Sequence, residues 1–143
     1  MIQEINMKKK TLKKISGAIL AAGLAGFLIW DNVYTFKGDG RHFLTGRYYA
    51  DFYYFNGNER FEFQLETGEK LHLDAHIEKG KAKVSFTRKG EKSGEVISNI
   101  EDADTYFTAD ETGRYVVKIN FKHAKGYVEI KCDDQVKDKK IYR

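Results

Sequence analysis

The chain has 143 residues, 41% of them hydrophobic, with a formal net charge of +4 and a single cysteine. That length allows one domain of ordinary size, and the lone cysteine excludes an intrachain disulfide and a thiolate metal cluster. Nor does the charge signal nucleic acid: Lys8, Lys9, Lys10, Lys13 and Lys14 against Glu4 in residues 1–30 account for all of it and leave the remainder balanced.

Residues 1–14 (MIQEINMKKKTLKK) are a basic n-region, and Ile15 to Trp30 (ISGAILAAGLAGFLIW) is an uncharged apolar run, the layout of a signal peptide or signal anchor. Positive flanking charge keeps the N-terminus in the cytoplasm, so the expected location is a single-pass cell-membrane protein with its C-terminal domain outside. At 16 residues the run falls between a signal-peptide h-region and a full span of about 20. Ala21-Ala22-Gly23 and Gly23-Leu24-Ala25 offer cleavage-like spacing. A cut there strands Phe27, Leu28, Ile29 and Trp30 on the product, which favours an uncleaved anchor with Trp30 at the interface over a secreted form.

Residues 31–45 read as a linker and a first edge strand around His42 to Leu44, residues 46–134 as the folded domain, and residues 135–143 as a polar tail. Phe61, Phe63 and Leu65 alternate with polar residues, as do Leu71, Leu73, Ala75 and Ile77, the period-two pattern of half-buried strands. Lys79-Gly80 reads as a turn into Ala82, Val84 and Phe86. Val96 to Ile100 and Thr105 to Thr108 are shorter strands around the acidic corner Glu101-Asp102-Ala103-Asp104. Tyr115, Val117, Ile119 and Phe121 then alternate up to a His123-Ala124-Lys125-Gly126 turn, followed by Val128, Ile130 and a core-facing Cys132. About eight short antiparallel strands sharing one inner face predict an all-β sandwich or jelly roll, preceded by one N-terminal hydrophobic helix.

Within this pattern, Gly113 to Lys131 (GRYVVKINFKHAKGYVEIK) has a Gly-x-Tyr opening, a turn with Ala and Gly, and a closing strand. It resembles the final hairpin of small exported bacterial β-sandwich domains, similar in outline to the GOLD domain of secretory-pathway cargo adaptors. Gly68 to Phe86 looks like the middle of such domains, and the resemblance covers Gly57 to Cys132. It implies a β-sandwich used for binding or for an envelope role rather than catalysis. The chain departs from the bacterial examples in lacking a lipid-acceptor cysteine, and from the adaptors in lacking a C-terminal coiled coil and span.

Three clusters are candidate sites. His72, Asp74 and His76 occupy alternate positions and so share the outward face of a strand. The histidines stand about 13 Å apart at ~3.3 Å per residue, so a metal needs two of the three plus ligands from a neighbouring strand. The aromatic stretch Gly46 to Phe55 places Tyr48, Phe52 and Tyr54 on one parity and Tyr49, Tyr53 and Phe55 on the other. One row can enter the core while the other meets a sugar ring or a protein, which makes Tyr48, Tyr49, Tyr53 and Tyr54 the candidate binding residues. Glu101, Asp102, Asp104, Asp110 and Glu111 are read as turn residues, because the ligand spacing of a calcium loop is missing.

The sequence has no nucleophile elbow, zinc-protease helix or phosphate loop, and no cofactor is expected. It is therefore read as a non-enzymatic binding or structural module of a Gram-positive-type envelope. Its expected partners are the membrane, through Ile15 to Trp30, and a cell-surface protein. Glycan binding through the Tyr48 to Phe55 row is the alternative, and a cryptic hydrolase with carboxylates brought together by folding is the third reading.

Overall fold

The computed structural model describes residues 22–28, 32–133 and 141–142, in two units, Met1–Val33 and Tyr34–Arg143. In the first unit residues 22–28 are helical, and among the described residues no helix is long and apolar enough to cross a membrane. The basic n-region, most of the Ile15 to Trp30 run and most of the 135–143 tail lie outside the described residues.

The second unit is an antiparallel sheet of eight described strands: β1 (Thr35–Lys37), β2 (Gly40–Leu44), β3 (Arg47–Leu65), β4 (Lys70–Arg88), β5 (Glu95–Ile97), β6 (Asp102–Thr108), β7 (Gly113–Cys132) and β8 (Ile141–Tyr142). Three of them are long. β7 lies between β3 and β4 and pairs with both along nearly its whole length. β1, β2 and β8 edge β3, while β5 and β6 edge β4.

The number of strands matches expectation, but the division differs. Lys79-Gly80 and the His123 to Gly126 segment are not hairpin turns. β4 and β7 run continuously through them, so Gly113 to Lys131 is one bent strand rather than a hairpin. The reason is visible in the pairing. Both halves of β4 bond to β7, with register shifts between Ile77 and Lys81, and β3 shifts against β7 between Phe52 and Gly57. These irregularities lie side by side across the sheet, since Phe55 faces Ala124 and Ile77 faces Gly126. Bulges of this kind bend a strand and invert which parity points inward. In β3 the buried hydrophobic residues are even-numbered before the bend (Tyr48, Ala50, Phe52) and odd-numbered after it (Phe61, Phe63, Leu65).

The bend folds the long strands back on themselves. Tyr48 and Phe61 are thirteen residues apart on β3, a distance of about 43 Å on a straight strand, yet their rings stack with centroids 4.7 Å apart. Phe86 stacks on Phe107 at 4.8 Å although Phe107 pairs with Leu71 at the other end of β4. Two inward faces of one sheet therefore share an aromatic core. Phe52, Phe55 and Phe121 fill it at the bend, with Phe55 and Phe121 stacked at 4.1 Å.

The edges differ from expectation in three places. The domain begins earlier than a linker to residue 45 allows: Tyr34 donates a 2.8 Å hydrogen bond to the buried Glu59, which also binds Arg41 of β2 at 2.6 Å. β5 is shorter than Val96 to Ile100, and β6 begins at Asp102, so Asp102 and Asp104 are strand residues rather than a corner. In the tail, Ile141 and Tyr142 pair with Phe63 and Glu62, and Arg114 sits 4.2 Å over the Tyr142 ring.

Candidate functional site

On the first half of the sheet, β2, β3, β7, β4 and β6 lie side by side, and alternation sends every second side chain outward. The register sets these outward residues in rows. Arg47, Lys131, His72 and Tyr106 make one row, Tyr49, Glu129, Asp74 and Asp104 the next, and Asp51, Tyr127, His76 and Asp102 the third.

Nearly every polar group in these rows has a named partner. His72 Nε2 lies 2.6 Å from Asp104 Oδ1, and its ring stacks on Tyr106 at 4.7 Å. His76 Nδ1 lies 2.5 Å from Asp102 Oδ1. The Tyr127 hydroxyl donates to Asp74 at 3.0 Å, and that of Tyr49 to Asp51 at 3.3 Å. Arg47 pairs with Glu129 at 2.6 Å and lies 5.4 Å from the Tyr49 ring centre. The hydrogen bond to Asp74, with burial, raises the Tyr127 pKa; burial, with Asp51, raises that of Tyr49. Both phenols are therefore donors at neutral pH.

The candidate metal ligands are arranged as separate pairs. His72, Asp74 and His76 do share the outward face, and the neighbouring strand supplies carboxylates, but Asp104 and Asp102 each take one histidine and Asp74 takes Tyr127. Among the described residues no group of three or more His, Cys, Asp or Glu side chains is placed to hold a metal ion. Spacing along one strand could find the histidines but not their partners, which come from β6, about thirty residues later.

The aromatic stretch divides differently from its expected parity. Tyr48 is fully buried and unavailable to an external ligand. Tyr53 follows the inward Phe52 and so points outward, where it is 61% exposed, while the bulge between Phe52 and Phe55 turns Phe55 inward. Tyr54 is half-buried, with its hydroxyl 2.8 Å from His123 Nδ1, and Tyr49 belongs to the paired face. Tyr106 and Tyr127, which complete that face, were not candidates from sequence, because only strand order brings them beside His72 and Asp74.

No family model matches the chain, and a search of curated proteins finds no relative.

Proposed function

We propose that the protein is a non-enzymatic binding module of the cell envelope, held at the membrane by Ile15 to Trp30 with its β domain outside, and that it engages a protein partner through the outer face of β3, β7, β4 and β6. A β-sandwich of the exported bacterial kind, GOLD-like in outline, is the finer architecture of this reading. The shared aromatic core between two halves of one sheet supports it. The lysine-flanked apolar run supports the anchor.

One observation carries the choice of face. Tyr49, Tyr106 and Tyr127 stand among His72 and His76 on one sheet face; neighbouring strands hold four of the five through hydrogen bonds or ring stacking, and Tyr49 is held by Asp51 of its own strand. Tyrosine gives a large contact area at low entropic cost, and a side chain already held in place loses little on binding. A photo-crosslinking residue placed at Tyr106 in the full chain, in cells, is expected to yield a discrete adduct with a second protein. Self-adducts alone, or none, overturn the reading. Glycan binding is favoured by a single ring, the exposed Tyr53. Loss of binding to cell-wall glycan on Tyr53→Ala, with adducts at position 106 unaffected, selects it instead.

A further inference from the structure

The balanced charge of the domain conceals a separation that only strand pairing creates. On the second half of the sheet, the outward rows are Lys122 and Lys81, then Asn58, Asn120 and Lys83, then Arg60, Lys118 and Ser85. Lys81 lies directly opposite Lys122, Arg60 lies directly opposite Lys118, and Lys83 is the diagonal neighbour of Lys118. Like charges directly opposite on paired strands are destabilising. Among the described residues, the carboxylate that follows in the outward register is Glu62, in the next row. It is buried and already shared by Arg60 at 3.1 Å, Lys89 at 3.4 Å and Arg114 at 3.6 Å. Among the described residues Lys81, Lys83 and Lys118 have no ion-pair partner.

The last two of these rows line a cleft of about 370 Å³, with Arg60, Lys83 and Lys118 providing positive charge, Asn58, Asn120 and Ser85 neutral polar groups, and the buried Glu59 a carboxylate already bound by Arg41 and Tyr34. A second cleft of about 250 Å³ shares Arg60 and Lys118 and continues toward Arg88, Lys89 and Lys92. The Asn120 side-chain amide donates to Asn58 Oδ1, which leaves the Asn58 amide protons for a ligand. The carboxylates that line the two clefts are already engaged, Glu59 by Arg41 and Tyr34 and Glu91 by Arg88, so the charge left over on this surface is that of Lys83 and Lys118. Phosphate esters present the complement, several acceptor oxygens under a negative charge, and lysine meets them as a point charge.

We propose that this face binds a linear, phosphate-rich polymer without bases, laid along the two clefts. The volume exceeds that of a single phosphate, and the clefts share residues, so successive anionic groups can be held together. The three rows carry no aromatic side chain, and base stacking, the usual platform for single-stranded nucleic acid, has nothing to rest on. A concave cleft is also a poor seat for a flat bilayer. This site lies on a different face from the proposed protein interface and does not depend on it.

The test uses the full chain in detergent, with long-chain inorganic polyphosphate as the probe. Polyphosphate is expected to raise the melting temperature by several degrees at low salt, and log K to fall with log[salt]. The double variant Lys83→Met/Lys118→Met is expected to melt at or above the wild-type temperature without ligand, because a repulsion has been removed. It is also expected to lose most of the polyphosphate shift, with a salt slope shallower by about 1 per lysine. Lys70→Met, on the other face, should keep the full shift. No shift for the wild type, or an undiminished shift in the double variant, overturns the site. Equal binding per phosphate by an oligo-dT strand, or by phosphatidylglycerol vesicles, overturns the choice of ligand.

Discussion

Gly126 of β7 lies against the carbonyl oxygen of His76 on β4 so closely that a Cβ at this position would overlap it. Its φ of +145° is also one that side-chain-bearing residues rarely adopt. Gly80 of β4 makes the reciprocal approach to the His123 carbonyl of β7, so the two bent strands are interlocked at the fold line. Gly126→Ala must move backbone on both strands. A loss of about 2 kcal/mol or more is expected from the strain, read as a lower urea midpoint in the full chain. An unchanged midpoint would show that the bend does not depend on this contact.

The stacked pair Tyr48 and Phe61 predicts two opposite outcomes. Phe61→Ala removes a fully buried ring that touches Tyr48, Phe43 and Phe63, and should cost about 3–5 kcal/mol. Tyr48→Phe keeps the ring and deletes a buried hydroxyl that has no hydrogen-bond partner among the described residues. Because such a group contributes only its desolvation penalty, the variant should be as stable as wild type or more so. Paired chemical denaturation curves check both.

Glu62 contributes to the acid limb of stability. Burial opposes its ionisation, but hydrogen bonds and charge from Lys89 and Arg60 outweigh burial and lower its pKa. A carboxylate with a depressed folded-state pKa binds fewer protons folded than unfolded. Its contribution is therefore complete above the unfolded value of about 4.3 and is lost as pH falls through the folded one. Glu62→Gln should flatten the loss of stability below about pH 4.3 while leaving the neutral-pH slope unchanged. An acid limb of unaltered steepness counts against this assignment.

The histidine–aspartate pairs should matter for recognition and little for stability. Asp102 and Asp104 have side chains 82% and 81% exposed, the regime in which an ion pair contributes about 0–1 kcal/mol. Asp102→Asn/Asp104→Asn should thus shift the melting temperature marginally, yet loosen His72 and His76 and weaken crosslinking from Tyr106. A large drop in stability would mean that the pairs hold the β4–β6 edge together instead.

The periodicity of two along the chain was enough to find the strand segments that carry the core, though not β1 or β8, because burial on one face leaves that mark directly. The same pattern recorded the bends. The inward residues change from odd to even between Ile77 and Ala82 and between Phe121 and Ala124, and from even to odd between Phe52 and Phe55. A hairpin and a bulge both invert parity around a glycine, so local sequence could not tell one from the other. Which strand lies beside which is a long-range property, and every feature of the two outer faces depends on it. His72 is paired by a residue thirty-two positions away, and Lys81 faces Lys122 only because β7 lies next to β4.

The central place of β7 also bears on when the domain can form. β3 and β4 do not pair with each other; each completes its ladder only against a strand that ends at Cys132. A chain emerging N-terminus first from the ribosome holds the two outer long strands before the one that joins them. The long ladders can therefore close only after β7 has emerged, and until then β3 and β4 have no strand to join them.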